Sequence, residues 1–336
     1  MSIRLLLFIP LLMLILPSCE NEVDLLDDYR EIPVIYGLVD PSSTTHYVRV
    51  QKAFLGQGNA LVMAQESDSL YYDTADVRLY IDRVYQGVVF GSRRLLPVSG
   101  FKEEGLFTDQ GHYIFKLENF TIAPGNSSIT ADTSYRIRFE NTKTGLMVTG
   151  STKVIRPLQF QFFNSSVKVN LANENPYPIR FFSPKNGKLF GLVMRIKYDV
   201  VDTLTQSTAT NWVDYPLDDL VSLNSLGGET MTFLLPGETI FKFIGSRINK
   251  PTGSKKIYSS SFRADYLFTV GTEDLYNYIR INAPGNTIFF LPEFTNLSSG
   301  KGLFSCRMNT TVPNIRFNDD TEAALITSPY TSHIFQ

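Results

Sequence analysis

Residues 133–155 read TSYRIRFENTKTGLMVTGSTKVI, and this stretch is the clearest indication of the fold class. Its apolar residues Tyr135, Ile137 and Phe139 alternate with charged ones, which is the period of two expected of a strand with one buried face. Residues 141–145 then reverse the chain, and a second strand follows. A five-residue loop that contains glycine between two such strands predicts a β-hairpin.

The same period recurs along the chain before this hairpin, and it predicts an all-β protein. Val48 and Val50 share one face of an expected strand, and Val77, Leu79 and Ile81 share a face of the next. Turn-forming residues separate these strands and no helical pattern lies between them, which is typical of a β-sandwich. The 22 glycines, 17 prolines and 13% aromatic residues favour the same combination of strands and turns.

A proline marks a change of pattern after the hairpin, and we expect a second β-rich domain beyond it. Pro157 ends the preceding strand, so the domains are placed at residues 32–156 and 157–336. Strand-like stretches follow, among them residues 239–244. One short helix is predicted over residues 272–283, because apolar residues recur there at helical spacing and a threonine is placed to cap it.

The charge and cysteine content exclude several classes of protein. The chain has 336 residues, of which 43% are hydrophobic and 19% charged, and this excludes a long disordered protein. Its 31 Lys and Arg residues nearly balance its 33 Asp and Glu residues, and a formal net charge of -2 gives no electrostatic basis for binding nucleic acid. Two cysteines, Cys19 and Cys306, are too few for a disulfide framework.

The N-terminal residues have the features of a bacterial lipoprotein leader. Arg4 gives a short positive region, and residues 5–16 form an apolar stretch that is too short to span a bilayer, which takes about 20 residues. The sequence Leu-Pro-Ser-Cys that ends at Cys19 resembles a lipobox, whose cysteine is acylated; an ordinary cleavage site with a chance cysteine is the alternative. We therefore predict a leader over residues 1–18 and lipidation at Cys19, with the acyl chains as membrane anchor.

An acidic segment follows this cysteine. Glu20, Glu22 and three aspartates lie within residues 19–31, and such a run beside a membrane is normally a solvated tether. The segment also resembles the acidic export signal that sends Bacteroidetes-type lipoproteins to the outer face of the outer membrane. The predicted location is therefore the outer membrane, with the protein lipid-anchored and facing the cell exterior.

Five segments resemble one family of proteins. Residues 33–39 and 46–54 are similar to its first two strands, residues 111–115 and 133–139 to later sandwich strands, and residues 292–304 to its C-terminal signature of Asn-Leu, Gly-x-Gly and Phe. The family is an uncharacterised group of Bacteroidetes-type lipoproteins, a domain of unknown function often encoded beside TonB-dependent outer-membrane receptors. The resemblance implies an immunoglobulin-like or transthyretin-like N-terminal sandwich, as in carboxypeptidase regulatory domains, and it supplies no catalytic residue.

Three triplets resemble the acceptor of Bacteroidetes-type O-glycosylation, an Asp followed by Ser or Thr and an aliphatic residue. They make Ser69, Thr74 and Thr203 candidate glycosylation sites. Such triplets also arise by chance in a chain rich in Ser and Thr. The interpretation depends on surface loops, where sugars can be added.

The residues that catalysis or metal binding requires are sparse. His46, His112 and His333 are the three histidines, each expected to be structural or solvent-exposed, and no Gly-x-Ser-x-Gly or phosphate-loop motif occurs. Cys306 is expected to be buried and inert. Residues 318–322 carry oxygen ligands suited to Ca²⁺, but a solvated acidic turn is the favoured interpretation. No catalytic, cofactor-binding or metal-binding residue is predicted.

The single tryptophan, Trp212, lies in a polar stretch beside Tyr215. We expect it to fill the core of the second domain, with an exposed anchor for a sugar or a protein as the alternative. Taken together, the sequence predicts a non-enzymatic surface lipoprotein that needs no cofactor and acts as an accessory or ligand-binding partner of a TonB-dependent receptor. A surface hydrolase with a scattered carboxylate site and a structural or adhesion protein are the alternatives, and the ligand is left unspecified.

Overall fold

The structure is a computed structural model, and it describes residues 31–53, 59–100, 105–122, 133–283 and 293–335. The predicted leader, Cys19 and nearly all of the acidic tether lie outside the described residues, so lipidation stays a prediction. Within the described ranges, no helix has the length and apolar composition needed to cross a membrane.

The first half of the chain is built from strands of the predicted period. Its elements are β1 (Ile32–Val39), β2 (His46–Ala53), α1 (Ala60–Met63), α2 (Ser67–Leu70), β3 (Val77–Tyr85), β4 (Val88–Ser99), β5 (Tyr113–Leu117), β6 (Ser134–Asn141) and β7 (Met147–Lys153). The predicted hairpin is confirmed as β6 and β7, which pair antiparallel from Ser134↔Lys153 to Glu140↔Met147. Gly145 in the loop has φ +75°, a conformation that glycine adopts without strain.

These strands form a sandwich because β4 belongs to two layers. The part of β4 up to Leu95 pairs with β3, while Leu96 and the residues after it pair with β5. The layer of β1, β2 and β5 therefore faces the layer of β3, β6 and β7 across a core. Buried side chains from both layers fill that core: Ile35, Val48, Leu79, Ile81, Phe115, Ile137, Phe139 and Val148. The predicted all-β class is confirmed.

The second half adds ten strands and three longer helices to the described part of the chain. They are β8 (Gln159–Gln161), β9 (Lys168–Val169), β10 (Tyr177–Phe182), β11 (Leu189–Asp202), β12 (Thr208–Pro216), β13 (Leu220–Val221), β14 (Thr230–Leu235), α3 (Gly237–Arg247), β15 (Lys255–Ile257), β16 (Arg263–Gly271), α4 (Glu273–Ile281), β17 (Lys301–Phe317) and α5 (Asp319–Thr327). Single turns of 3₁₀-helix occur at Ser259–Ser261 and Ser332–Ile334. A small sheet in the order β14-β10-β8 packs on the large sheet through phenylalanines, and the Phe160 and Phe268 rings are 4.8 Å apart.

Strand β17 holds the two halves together. Its first residues pair in parallel with β1, from Val34↔Lys301 to Val39↔Cys306, and its later residues pair antiparallel with β16. One large sheet therefore runs in the order β12-β11-β16-β17-β1-β2-β5-β4-β3-β6-β7. Both halves contribute to this sheet, and the division at residue 156 stays a prediction from the sequence.

Residues of the C-terminal signature fix β17 against β1. Gly302 has φ +114°, and a Cβ at this position would lie 2.1 Å from the carbonyl oxygen of Ile35, so β1 can approach so closely only because residue 302 is glycine. Asn296 donates to the Phe304 carbonyl at 2.7 Å and accepts from the Phe304 N–H at 3.0 Å. The signature therefore has a structural role in this chain.

Residues 296–298 also cover the outer edge of β7. Leu297 forms an isolated β-bridge with Gly150 of that strand. The Ser298 N–H donates to the Thr149 carbonyl at 2.7 Å, and the Thr149 N–H donates to the Ser298 hydroxyl at 3.0 Å. The segment that leads into β17 therefore lies against β7, so the series of strands from β17 to β7 closes on itself. We call this side of β7 the covered edge.

The helices differ from the sequence prediction. The helix predicted over residues 272–283 is confirmed as α4, but the described residues of the second half form three helices of nine or more residues where one was predicted. The strand predicted at residues 239–244 is wrong, because these residues lie within α3. Their β-branched and aromatic residues resemble a strand, yet Ile240 and Ile244 are buried together at the i, i+4 spacing of one helix face.

Candidate functional site

Helix α4 lies across the outer face of the large sheet, and its N-terminus is fixed to β17. The Thr272 and Ser305 hydroxyls are 2.5 Å apart and both residues are buried, and the Thr272 N–H donates to the Cys306 carbonyl at 3.3 Å. The Thr272 hydroxyl thus binds Ser305 and makes no bond to the helix N-terminus, contrary to the predicted cap. Leu275 is buried beneath the helix, so α4 is held to the sheet at this end.

Two adjoining cavities, of about 520 Å³ and about 450 Å³, lie along α4. The larger lies over β1 and β2, and the smaller lies over β11 and β16. Four residues line both cavities: Leu38, Leu275, Ile279 and Arg307. We call the two cavities together the trough.

Tyrosines line the end of the trough over β1 and β2. The Tyr36 and Tyr278 ring centroids are 6.0 Å apart with an edge-to-face angle of 70°, and the Tyr278 hydroxyl donates to the Tyr36 hydroxyl at 3.3 Å. Burial and this hydrogen bond raise the pKa of Tyr36 to about 12, so its hydroxyl stays neutral at physiological pH. Tyr47, which is 52% exposed, lies at the same end with the Lys116 ammonium 5.9 Å from its ring centroid. This end therefore offers apolar ring surface together with hydroxyl groups.

The other end of the trough is mainly aliphatic and has one carboxylate. Val193 and Leu267 contribute apolar surface there. Gly191 leaves space beside Asp219, since a Cβ at residue 191 would lie 3.1 Å from the Asp219 Oδ1 atom. Burial, followed by the nearby charge of Asp218, raises the pKa of Asp219. The trough thus runs from a tyrosine-rich end, past the exposed Arg307, to an end with a single carboxylate.

The trough contains no arrangement that would activate a nucleophile in the described residues. His46 lines one end, but the residue is buried, its Nε2 atom lies 2.8 Å from the Phe120 carbonyl oxygen, and burial lowers its pKa. The Cys306 thiol is buried and its pKa is raised to about 12, so the residue is not a ready nucleophile. No group of three or more His, Cys, Asp or Glu residues suited to a metal ion occurs in the described ranges.

The remaining histidines lie where the sequence placed them. His112 is buried directly before β5, with its ring 5.6 Å from that of Tyr71. His333 is exposed in the 3₁₀ turn near the C-terminus. His46 and His112 are therefore buried and His333 is exposed, and the expected structural or solvent-exposed character of the three histidines stays a prediction.

The acidic group at residues 318–322 is the start of helix α5. The Asn318 side chain caps the helix by accepting from the Thr321 N–H at 3.0 Å. Asp319 and Asp320 lie in the first turn, where the positive end of the helix dipole stabilises negative charge. These acidic residues therefore have a helix-forming role, and the solvated turn predicted from the sequence is corrected to a helix N-terminus.

The structure separates the three candidate glycosylation residues. Ser69 lies within α2 and Thr74 lies in the turn before β3, both half-buried. The Thr203 hydroxyl donates to the Ser254 carbonyl at 2.8 Å, so it is already hydrogen-bonded in the loop after β11. The three residues do not form one site, and glycosylation stays a prediction.

The interpretation of Trp212 as a core residue is wrong. Trp212 lies on β12 and is 56% exposed, with the Arg195 guanidinium 5.6 Å from its ring. Phenylalanines of β8, β10 and β16 already fill the core of this half, and Trp212 lies on the opposite, charged face of the sheet. The alternative of an exposed aromatic residue is the correct one.

The sequence alone does not indicate the trough. Residues 32–39 are almost all apolar, which is typical of a buried strand, whereas Tyr36 is 38% exposed in the structure. The amphipathic pattern of α4 was a usable signal, because Leu275 and Ile279 share a face that needs an apolar surface beneath it. Which strands supply that surface depends on pairings between distant residues, which no local pattern contains.

Comparisons with known proteins do not assign this chain to a family. No protein-family model matches the chain, and no curated protein matches it. A solved structure described as "Crystal structure of CBD12 from CALX1.2" is similar with a TM-score of 0.18 and 11% identity, over 84% of this chain and 99% of that chain. A similarity of this size carries no argument about function.

Proposed function

We propose that this protein is a non-enzymatic, lipid-anchored accessory protein of the cell surface, which docks an extended segment of a TonB-dependent outer-membrane receptor in the trough. The leader, Cys19 and the acidic segment support the location. The family resemblance supports the kind of partner, and the trough supports a binding role.

The observation that carries the proposal is the shape and lining of the trough. Two adjoining cavities along one helix suit an extended chain segment better than a compact small molecule. Tyr36, Tyr47, Tyr278 and Arg307 belong to the residue types that are enriched where protein partners bind most tightly. Tyrosine also combines a large contact area with a hydroxyl, so the same side chains can hold both apolar and polar parts of a segment.

A co-purification experiment tests this function. Tagged protein is extracted from native membranes with mild detergent, and a TonB-dependent receptor is expected among the proteins recovered with it. Ile279→Arg places a long charged side chain where the two cavities meet, so its desolvation should reduce the recovered receptor by about tenfold or more. Met147→Arg is the matched control, because Met147 is a similarly exposed apolar residue on β7, away from the trough.

Each result has a defined meaning. If repeated extractions of the unaltered protein recover no receptor, the partnership is wrong. If Ile279→Arg recovers as much receptor as Met147→Arg, the trough is not the docking site. Unfolding curves of both variants are measured beside the pull-down, so that a folding defect is recognised.

A further inference from the structure

Strand β12 forms the other end of the large sheet, and its outer side is open. It pairs antiparallel with β11 in unbroken register from Val193↔Pro216 to Val201↔Thr208. Within the described ranges, no strand pairs with its opposite side. We call this side of β12 the open edge.

The register shows which backbone groups point outward from the open edge. At one end the Leu217 N–H donates to the Leu192 carbonyl, and at the other the Asp202 N–H donates to the Ser207 carbonyl, both at 2.9 Å. Hydrogen-bonded pairs alternate along an antiparallel ladder, so residues 209, 211, 213 and 215 face β11. Four residues of β12 therefore direct both N–H and C=O outward: Thr208, Thr210, Trp212 and Asp214.

In the part of the chain that the structure describes, the open edge lacks most of the features that normally prevent pairing. Natural edge strands are protected by lysines, bulges, prolines or covering segments. Residues 208–216 contain no lysine and no register shift, and Pro216 lies only at the end of the strand. The first five residues of β12 are all exposed, so a second strand has access to it.

Charge does not oppose the approach of an identical edge. Arg195 pairs with Asp214 at 2.8 Å on the same face as Trp212, and Arg263 pairs with Asp199 at 3.0 Å on the neighbouring strands. These opposite charges neutralise one another within the chain, so two copies meet without a concentration of like charge.

We propose that two copies of this chain pair through their open edges, antiparallel and about a two-fold axis at Asn211, so that the two large sheets become one. In this register Thr208 pairs with Asp214 of the second copy, and Thr210 pairs with its Trp212. Every outward N–H of these four residues then meets a carbonyl. The contact uses the same surface on both copies, as a two-fold axis requires.

The position of Pro216 determines where the two-fold axis lies. An axis at Trp212 would set Pro216 opposite Thr208, and Pro216 has no N–H to donate. The axis at Asn211 leaves Pro216 outside the paired stretch and gives each outward group of the four residues a partner. The nine-residue strand is thus complementary to itself, and this favours a second copy over a strand of another protein.

Cysteine cross-linking in membranes of cells that produce the full chain tests the proposal. Asn211→Cys places two thiols across the axis at a non-hydrogen-bonded pair, where Cα atoms lie about 4.5 Å apart, within the range a disulfide spans. Ala209→Cys is the matched control on the same face of the same strand, because its two copies would lie roughly 13 Å apart. Cys306 is buried and does not compete.

After mild oxidation we expect most of the Asn211→Cys protein, and little of the Ala209→Cys protein, to migrate as a disulfide-linked dimer on a non-reducing gel. Equal cross-linking of the two variants, or none at residue 211, overturns the proposed pairing. This result is independent of receptor recovery, so the dimer and the proposed function fail or hold separately.

A pair of substitutions at Trp212 gives a second measurement, the molar mass of the detergent-solubilised protein by light scattering. Trp212→Pro removes one outward N–H, which an edge strand tolerates, whereas Trp212→Thr removes the ring but keeps the N–H. We expect the unaltered protein and Trp212→Thr to be dimers, and Trp212→Pro to be a monomer. A monomeric unaltered protein, or a folded Trp212→Pro dimer, overturns the proposal.

Discussion

The covered edge of β7 and the open edge of β12 are the two ends of one sheet, and they are completed in different ways. At the covered edge, Ser298 and Thr149 exchange hydrogen bonds, and Leu297 packs beside Gly150. At the open edge, four residues of β12 direct both backbone groups away from β11. Because unpaired backbone groups have the same chemistry on any strand, the difference lies in the segment that covers one edge and not the other.

The two halves of the molecule that carry these edges differ in the same way. The half with the covered edge is closed by the signature residues, which the second half of the chain supplies, while the half with the open edge ends in a strand that is accessible to a partner. Substitutions in the closed half should therefore destabilise the fold, whereas equivalent ones at the open edge should change association more than stability.

The largest effect is expected from Gly302→Ala, because Gly302 lies where β17 packs closely against β1. A Cβ at residue 302 would lie 2.1 Å from the Ile35 carbonyl oxygen, and the backbone there has φ +114°. We expect a loss of about 3 kcal/mol or more in the free energy of unfolding, measured by urea denaturation. Gly253→Ala is the control, since Gly253 also has positive φ but has no atom within 4 Å of its Cβ position, and it should cost only about 1 kcal/mol. Equal losses would contradict the steric role of residue 302.

The next effect is expected from Asp82→Asn, inside the closed half. Asp82 is 1% exposed, and its carboxylate accepts from Arg136 at 2.9 Å, Arg138 at 3.1 Å and Ser92 at 2.7 Å. The substitution leaves two arginines without this carboxylate, so we expect a loss of about 3 kcal/mol at neutral pH. The free energy of unfolding of both proteins is compared at constant salt.

The same residue gives a pH dependence with a defined sign. Burial acts to raise the pKa of Asp82, but hydrogen bonds from Arg138, Ser92 and Arg136 outweigh it and lower the pKa in the folded protein. The stability that Asp82 contributes is therefore present above its unfolded pKa of about 3.9, and it is lost as pH falls through the lower folded pKa. The gap between the unaltered protein and Asp82→Asn should narrow in acid. A gap that stays constant to low pH would contradict this role.

A smaller effect is expected from Asn296→Ala, which removes the side-chain hydrogen bonds that hold residues 296–298 in place over the edge of β7. The Phe304 N–H and carbonyl both lose the Asn296 amide as a partner, which should cost about 2 kcal/mol. Asn211→Ala at the open edge is the matched control and should cost less than about 0.5 kcal/mol. Chemical denaturation of the two variants under the same conditions decides the comparison, and an equal cost would show that residue 296 does not close the sandwich.

The smallest effect is expected from Asp214→Asn, the open-edge counterpart of Asp82→Asn. Arg195 and Asp214 are both partly exposed, with side chains 36% and 40% accessible, so their ion pair is screened by water. We expect a loss of no more than about 1 kcal/mol, and a smaller one at high salt. If Asp214→Asn lowered the free energy of unfolding as much as Asp82→Asn does, the proposed difference between the two halves would be wrong.

The sequence predicted those features that depend on neighbouring residues. The hairpin of β6 and β7 follows from alternation around residues 141–145, and α4 follows from apolar residues at helical spacing. The sequence prediction fails at helix α3, because β-branched and aromatic residues favour strands in isolation, while burial against the rest of the fold selects a helix. The prediction also fails at Trp212, because tryptophan is usually well buried but phenylalanines already occupy the core of this half.

Neither the trough nor the two roles of β17 follows from local pattern. The trough joins side chains from β1, β2, β11, β16 and α4, which lie far apart in the chain. The parallel pairing of β1 with β17 brings together residues that are more than 260 positions apart, such as Val34 and Lys301. Turn chemistry specifies hairpins, but no local rule specifies a contact of this range.

The parallel pairing of β1 with β17 also has a mechanical consequence. The chain enters the described fold at residue 31, directly before β1, so a pull on the N-terminus acts along the strand axis. The hydrogen bonds of β1 to β17 on one side and to β2 on the other lie across that axis, and they are loaded in shear together rather than opened one at a time. With the proposed lipid anchor at Cys19, β1 would act as a clamp between that anchor and the rest of the molecule.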